Sequence, residues 1–268
     1  MATDSGSQAQ APEENSGEQR GEKAPRSGFA GVIREFAIII VGALIATTLL
    51  RMFLLQVFVI PSGSMEQTLL PQDRVLVQKV IPYQRGDVVV FTDDNEWMGY
   101  ASQEALPPAE EALVFVGLMP DPRSHNLIKR LIGMPGDHVV CCDAQGRVSV
   151  NGRALDEGSY LYRDEDGKPI QPSEYTFDVV VPADRVFLLG DHRNDSADSR
   201  CHLKEEADGV QGAPAFVRTS SVVGTAAAIV LPFDRIRGLS RPATFENVPA
   251  ATGAAPAQPI VRGDAPAC

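Results

Sequence analysis

Twenty-five residues from Phe36 to Ile60 read FAIIIVGALIATTLLRMFLLQVFVI and contain a single charge, Arg51. As a helix this run would be about 37 Å long at ~1.5 Å per residue, more than the ~30 Å of bilayer hydrocarbon. Core helices of soluble proteins rarely stay apolar on every face for so long. A cleaved export signal is disfavoured too, because no Ala-x-Ala-like site follows the run. The sequence therefore predicts an uncleaved membrane anchor over residues 31–56, helical to about Arg51, whose side chain would reach outward to water. The part from Phe53 to Ile60 is rich in aromatic and β-branched residues and is expected to leave as a strand.

Four basic residues (Arg20, Lys23, Arg26, Arg34) precede the run and two (Arg74, Lys79) follow it closely. That bias predicts a cytoplasmic N-terminus and an extracytoplasmic remainder in a single-pass plasma-membrane protein. Residues 1–30 carry almost no large apolar side chains and are expected to be a disordered cytoplasmic tail. A formal net charge of −11 argues against a nucleic-acid partner.

After Pro61 the pattern is mainly β. DRVLVQKV, RGDVVVF, NLIKRLIG, DHVVCCD, GRVSVNG, YTFDVVVP, RVFLLGD and VVGTAAAIVL are short β-branched runs between turn signals. They predict antiparallel sheets in an extracytoplasmic β-rich domain over residues 57–238. DAQG, Asp143 to Gly146, reads as a hairpin turn. A long insertion, 92–125, holds one helical candidate, Pro108 to Leu118, and the exposed-looking pair Trp97–Met98, which reads as an ordinary loop or as a dip into the membrane surface. Residues 239–268, rich in Ala and Pro, read as a disordered tail.

There are four cysteines: Cys141, Cys142, Cys201 and Cys268. The expected topology puts them in an oxidising compartment. Adjacent cysteines are poorly set to bridge each other, and in a strand they point to opposite faces. A disulfide between Cys201 and either Cys141 or Cys142 is therefore expected, with Cys268 left as a free thiol. Vicinal cysteines also lack the usual spacing of zinc ligands, so neither metal nor cofactor is expected.

The stretch VIPSGSMEQTL, Val59 to Leu69, places two serines on a turn directly after the apolar run. Four histidines are present, and His192 in GDH invites a Ser-His-Asp reading, but a loop His beside an Asp is more often ordinary polar surface. No Gly-x-Ser-x-Gly elbow, His-Glu-x-x-His or phosphate loop occurs. Serine can instead be activated by an uncharged lysine, which requires burial against apolar groups. Lys129, flanked by Leu127, Ile128, Leu131 and Ile132, fits that requirement. Strand alternation separates it from Arg130, so one of the two is expected inward and the other in solvent.

Taken in order, IPSGSMEQTL, RGDVVVF, IKRLIGMPGD and GDHRNDSADSR resemble the boxes of bacterial type I signal peptidases, from the anchor to about Phe233. The resemblance implies a signal-peptidase-type antiparallel β-sheet catalytic domain behind one transmembrane helix. It also implies an endopeptidase that cuts N-terminal signal peptides from exported preproteins after Ala-x-Ala-type sites. By position, Ser64 matches the nucleophile, Lys129 the general base and Ser62 a hydroxyl that helps bind the oxyanion. Ser196 matches the serine that orients the lysine, Asp198 and Arg200 a pair shaping the active-site loop, and Gly190 a position close to the base. Signal peptides, membrane lipid and the secretion translocon are the partners implied. Gln67 stands where a proline is usual, His192 where an asparagine is more usual, and Asn194–Asp195 reverses a common order. Two other readings are a self-cleaving, repressor-type Ser/Lys protease, which the anchor and acidic charge oppose, and a non-enzymatic anchored β-domain.

Overall fold

The computed structural model describes residues 29–99, 105–116 and 125–263. The chain divides between Ala43 and Leu44 into two compact units. Helix α1 (Phe29–Phe53) spans that division and ends where the sequence changes from evenly apolar to β-branched and aromatic. Its window Gly31–Thr48 has a mean hydropathy of 1.8, and the consecutive residues Ile38, Ile39, Ile40 and Val41 are all exposed. By length and composition this helix is long and apolar enough to cross a membrane. The Arg51 side chain and the tail 1–28 lie outside the described residues.

Beyond the helix the fold is antiparallel β. Strands β1 (Leu55–Val59), β2 (Arg74–Gln78) and β3 (Val88–Thr92) are followed by the short helix α2 (Pro108–Val116), then by β4 (Asn126–Gly133) and β5 (His138–Cys141). Next come β6 (Ser149–Val150), β7 (Arg153–Ala154), β8 (Phe177–Val180) and β9 (Arg185–Leu189). The hairpin β10 (Glu206–Ala207) and β11 (Val210–Gln211) precedes β12 (Val217–Arg218) and the ten-residue β13 (Val222–Leu231). Last are β14 (Arg237–Gly238) and β15 (Ile260–Arg262).

One sheet has the order β1-β2-β13-β3-β4-β9-β12, with β14 on β13, and a second has the order β15-β8-β5-β6-β7. The chain passes from the first to the second between β4 and β5. Strand β3 is buried from Val88 to Phe91, so both faces of this part of the sheet are covered. One cluster (Ile60, Met65, Leu69, Val75, Val77, Val90, Ile128) lies under the turn that carries the two serines. A larger one, including Ile132, Val139, Val179, Phe187 and Phe216, fills the space against the second sheet. DAQG makes the expected hairpin between β5 and β6, closed by Gly146 N–H donating to the Asp143 carbonyl at 2.9 Å.

Three expectations need correction. The Ala/Pro-rich segment is ordered to residue 263. Phe245, in a short 3-10 helix (Ala243–Phe245), is buried in the larger core, and β15 pairs with β8. Composition misleads here because a few anchors suffice to fix a segment that makes little regular structure of its own. Secondly, Cys141 is bonded to Cys142, and Cys201, in the 3-10 helix Ser199–His202, is bonded to neither. The strand stops at Cys141, so pleat alternation does not separate the pair. Cys268 lies outside the described residues. Thirdly, Trp97 is turned inward: its ring stacks on His202 at 4.8 Å and its indole N–H donates to the Pro214 carbonyl at 2.8 Å. Only Met98 of that pair is well exposed.

Phe245 rests on the turn at Gly86, where an added Cβ would come within 2.5 Å of the Phe245 ring. Truncating a buried Phe to Ala typically costs about 3–5 kcal/mol. Phe245→Ala should therefore lower the unfolding free energy by roughly that amount, read by denaturant titration. A tail without structural importance would leave the midpoint unchanged.

Candidate active site

The serine-bearing turn begins where β1 ends. Ile60 is held by the Asp73 carbonyl, to which its N–H donates at 2.9 Å, and the chain then folds over Met65 and Leu69, both fully buried. Ser64 is 6 % exposed and Ser62 is exposed, their hydroxyl oxygens 3.4 Å apart. A Cβ on Gly63 would come within 2.8 Å of Glu66 Oε1, the tip of a flexible side chain that would have to shift to admit it.

Lys129 lies in β4 opposite Val89 of β3, and Ile128, Leu131 and Ile132 beside it are buried. It is 4 % exposed, and its Nζ donates to Ser64 Oγ at 2.5 Å. Burial disfavours the ammonium and brings the amine down to about 8, against a partial counter-pull from the Asp198 and Asp191 carboxylates. An amine so placed can take the proton of the hydroxyl it touches.

Arg130 is not in solvent, contrary to the alternation argument; it is 2 % exposed. Its Nε and Nη2 donate to the two Asp191 oxygens at 2.7 and 2.5 Å, its Nη1 donates to the Gly86 carbonyl at 2.6 Å, and the guanidinium lies 4.2 Å over the Tyr160 ring. Covered on both faces, this part of the sheet has no solvent side to offer, so the charge is matched internally. Thr68, just after the serine turn, donates to the same Asp191 carboxylate at 2.5 Å.

The loop after β9 closes the site from behind. Gly190 N–H donates to Asp198 Oδ2, and His192 N–H donates to the Ser64 carbonyl at 3.1 Å. A side chain at Gly190 is impossible: its Cβ would collide with Ser196 Oγ and lie 2.5 Å from the Ser64 carbonyl oxygen. Asp198 and Arg200 form a buried bidentate pair at 2.8 and 2.9 Å. Burial alone would raise the Asp198 carboxyl; the Arg200 guanidinium outweighs it and holds the group below its usual range. Ser196 is near, yet its Oγ is buried and has no hydrogen-bond partner among the described residues, so the expected bond to Lys129 is not made here.

The structure thus gathers Ser62, Ser64, Lys129, Gly190, Ser196, Asp198 and Arg200 around one point. Reasoning from sequence missed Asp191, Thr68, Tyr160 and the buried Arg193–Glu157 pair at 2.5 Å. Asp191 had a signal, its position between Gly190 and His192; Glu157 had none. A cavity of about 640 Å³ lies elsewhere, lined by residues such as Arg147, Arg153 and Asn247, none of them in this cluster. Among the described residues no group of three His, Cys, Asp or Glu is placed to hold a metal ion.

A β-sheet domain that buries a serine hydroxyl against a lysine amine has the makings of a serine hydrolase. Residues 33–231 match the sequence model of the family described as "Signal peptidase, peptidase S26". A signal peptidase I from Mycobacterium tuberculosis is 35 % identical over 230 residues, covering 79 % of this chain and 76 % of its own. A signal peptidase I from Bacillus subtilis subsp. natto is 30 % identical over 193 residues, covering 69 % and 88 %. A crystal structure of a signal peptidase I from Enterococcus faecalis covers 55 % of this chain and 99 % of its own at 21 % identity. Its TM-score of 0.33 is too low to bear on the fold. The chain belongs to the peptidase S26 signal peptidase family and is a serine endopeptidase.

The departure at Gln67 has a backbone cause. Its φ is +82°, which the pyrrolidine ring of proline cannot adopt. Gln67→Pro should cost more than ~1 kcal/mol of stability and disturb the turn, whereas Gln67→Gly should be tolerated. Thermal melts of the two variants check this, and a Pro variant as stable as the parent would contradict the backbone assignment.

Proposed function

We propose that this chain is a membrane-anchored signal peptidase I in which Ser64 is the nucleophile and Lys129 the general base. The observation that carries this reading is the 2.5 Å contact between a buried amine, which burial brings down to about 8, and a buried serine hydroxyl. Lys129 Nζ takes the Ser64 proton as Oγ attacks the scissile carbonyl. The Ser64 N–H and the Ser62 hydroxyl stabilise the oxyanion. The ammonium then protonates the departing amine, and the neutral amine activates the water that hydrolyses the acyl-enzyme. Ser196 serves as a second acceptor that orients the amine once Ser64 has been acylated, and Asp198 with Arg200 fixes the loop that carries it.

The substrate is the signal peptide of an exported preprotein, held as an added strand. Strand β1 is a sheet edge, and β9 pairs with β4 only from Arg130 onward, so Phe58–Pro61 and Asn126–Ile128 both have backbone to offer. Main-chain pairing reads few side chains, and small residues, typically Ala, are taken at the first and third positions before the cut. Residues 31–56 anchor the chain, 1–30 lie in the cytoplasm, and 57–238 act outside the plasma membrane beside lipid and the secretion translocon. Ser64 follows the end of α1 by only eleven residues, which suits a substrate that is itself membrane-bound.

Solubilised full-length protein incubated with a preprotein bearing an Ala-x-Ala site should release the mature chain, and Ser64→Ala should not. Lys129→Arg should be as inactive as Lys129→Ala, a loss of roughly a thousandfold or more, because a guanidinium cannot accept the serine proton. Activity should rise with pH through about 8, the range in which Lys129 loses its proton. An active Lys129→Arg protein would mean that another group is the base. The same burial carries a stability cost. Between about 8 and 10.5 the unfolded chain binds more protons than the folded one, so stability rises with pH across that window. At ~1.36 kcal/mol per pKa unit, inactive Lys129→Met should be more stable than the parent by up to roughly 3 kcal/mol at pH 7, with the gap closing as pH rises.

Removing a hydroxyl that has no partner among the described residues forfeits none of the hydrogen bonds they make. Ser196→Ala should therefore keep or slightly raise the melting temperature while activity falls to between that of the parent and that of Lys129→Ala. Equal loss of both would make Ser196 a structural residue only.

A further inference from the structure

His192 holds the serine turn at two successive carbonyls. Its own N–H donates to the Ser64 carbonyl, and its ring Nδ1 lies 3.3 Å from the Gly63 carbonyl oxygen. A carbonyl only accepts, so this contact is a hydrogen bond in the tautomer that places the proton on Nδ1. The other polar groups around that nitrogen are acceptors as well, Glu66 Oε2 at 3.5 Å and Asp195 Oδ2 at 3.9 Å. The ring is stacked on Tyr162 with centroids 3.8 Å apart, and Tyr162 N–H donates to the Asp191 carbonyl, which ties the stack to the loop facing Arg130.

The Gly63 carbonyl and the Ser64 N–H belong to the same peptide unit. In a trans peptide these two groups point in opposite directions and turn together. Glycine gives this unit little steric restraint, so whatever fixes the Gly63 oxygen also fixes where the Ser64 N–H points. We infer that His192 is a positioning residue that aims the oxyanion-binding N–H of Ser64 by holding the Gly63 carbonyl from behind. The inference rests on the reading of Ser64 as nucleophile. His192 takes no proton from the substrate or from Ser64, whose Oγ is met by Lys129.

Asparagine carries Nδ2 at the same number of bonds from the backbone as histidine carries Nδ1, so His192→Asn keeps the donor and loses the ring. His192→Phe keeps the ring on Tyr162 and loses the donor. With full-length solubilised protein and an Ala-x-Ala preprotein, His192→Phe and His192→Ala should lower kcat roughly tenfold, about 1.4 kcal/mol of lost hydrogen bonding. KM should stay within about twofold and the midpoint of the rising pH limb should not move. His192→Asn should remain within about threefold of the parent. Wild-type kcat in His192→Phe, or His192→Asn as poor as His192→Ala, overturns the inference. So does a shifted pH midpoint, or a loss of a thousandfold, which would make the imidazole part of proton transfer. If the Phe variant does not fold, the Ala and Asn pair decides. An active Ser64→Ala protein would instead bring down the underlying reading of the site.

Discussion

Two cations stand side by side in the middle of β4, and both are buried. Water is not available to either, so each has to be accommodated by other means, and the means differ because the groups differ. A lysine can shed its proton, and with only partial compensation from Asp198 and Asp191 it is pushed toward doing so. An arginine cannot, so Arg130 is matched by a carboxylate, a carbonyl and an aromatic face. One strand thus supplies a neutralisable amine and a permanent charge at consecutive positions. The permanent charge organises the packing around it, since Asp191, Thr68, Gly86 and Tyr160 come from four separate segments and converge on one guanidinium.

That convergence explains how the serine turn is kept rigid without regular secondary structure. Thr68 is tied to Asp191 just downstream of the turn, and the residue after Asp191 reaches the Ser64 carbonyl. The hydroxyl therefore meets the amine because both sides of the contact are referenced to the same buried ion pair. A broken Arg130–Asp191 pair would leave an uncompensated charge in the core, which is usually worth several kcal/mol.

Much of the fold was legible in the sequence. NLIKRLIG and VVGTAAAIVL became β4 and β13 residue for residue, and DAQG became the turn between β5 and β6. These are local signals, set by side-chain shape and by which residues a tight turn accepts. What escaped was non-local. Arg130 was expected in solvent because alternation says which way a side chain points and nothing about what covers that side, and its partner Asp191 is 61 residues away. The tail after Leu239 was misread because composition does not reveal one phenylalanine finding a place in a core assembled from other segments. In the site, composition could mark Lys129 as an apolar-strand lysine, but pairing it with Ser64 depended on the resemblance of several boxes in order. Asp191, Tyr160 and Glu157 belong to the shell that holds those boxes together, and no short motif records it.

The position of β13 bears on how the two halves of the site are joined. Strand β2 pairs with β1 on one side, β3 pairs with β4 on the other, and among the described residues β13 is the only strand hydrogen-bonded to both β2 and β3. It comes from residues 222–231, long after either of its neighbours. A chain emerging from its N-terminus can build β1 with β2, and separately β3 with β4 and β9, but these halves lack a common strand until residues 222–231 have been made. The serine turn sits in one half and the lysine in the other. The turn that carries Ser64 and the strand that carries Lys129 are thus joined into one sheet by a segment, residues 222–231, that follows both of them in the chain.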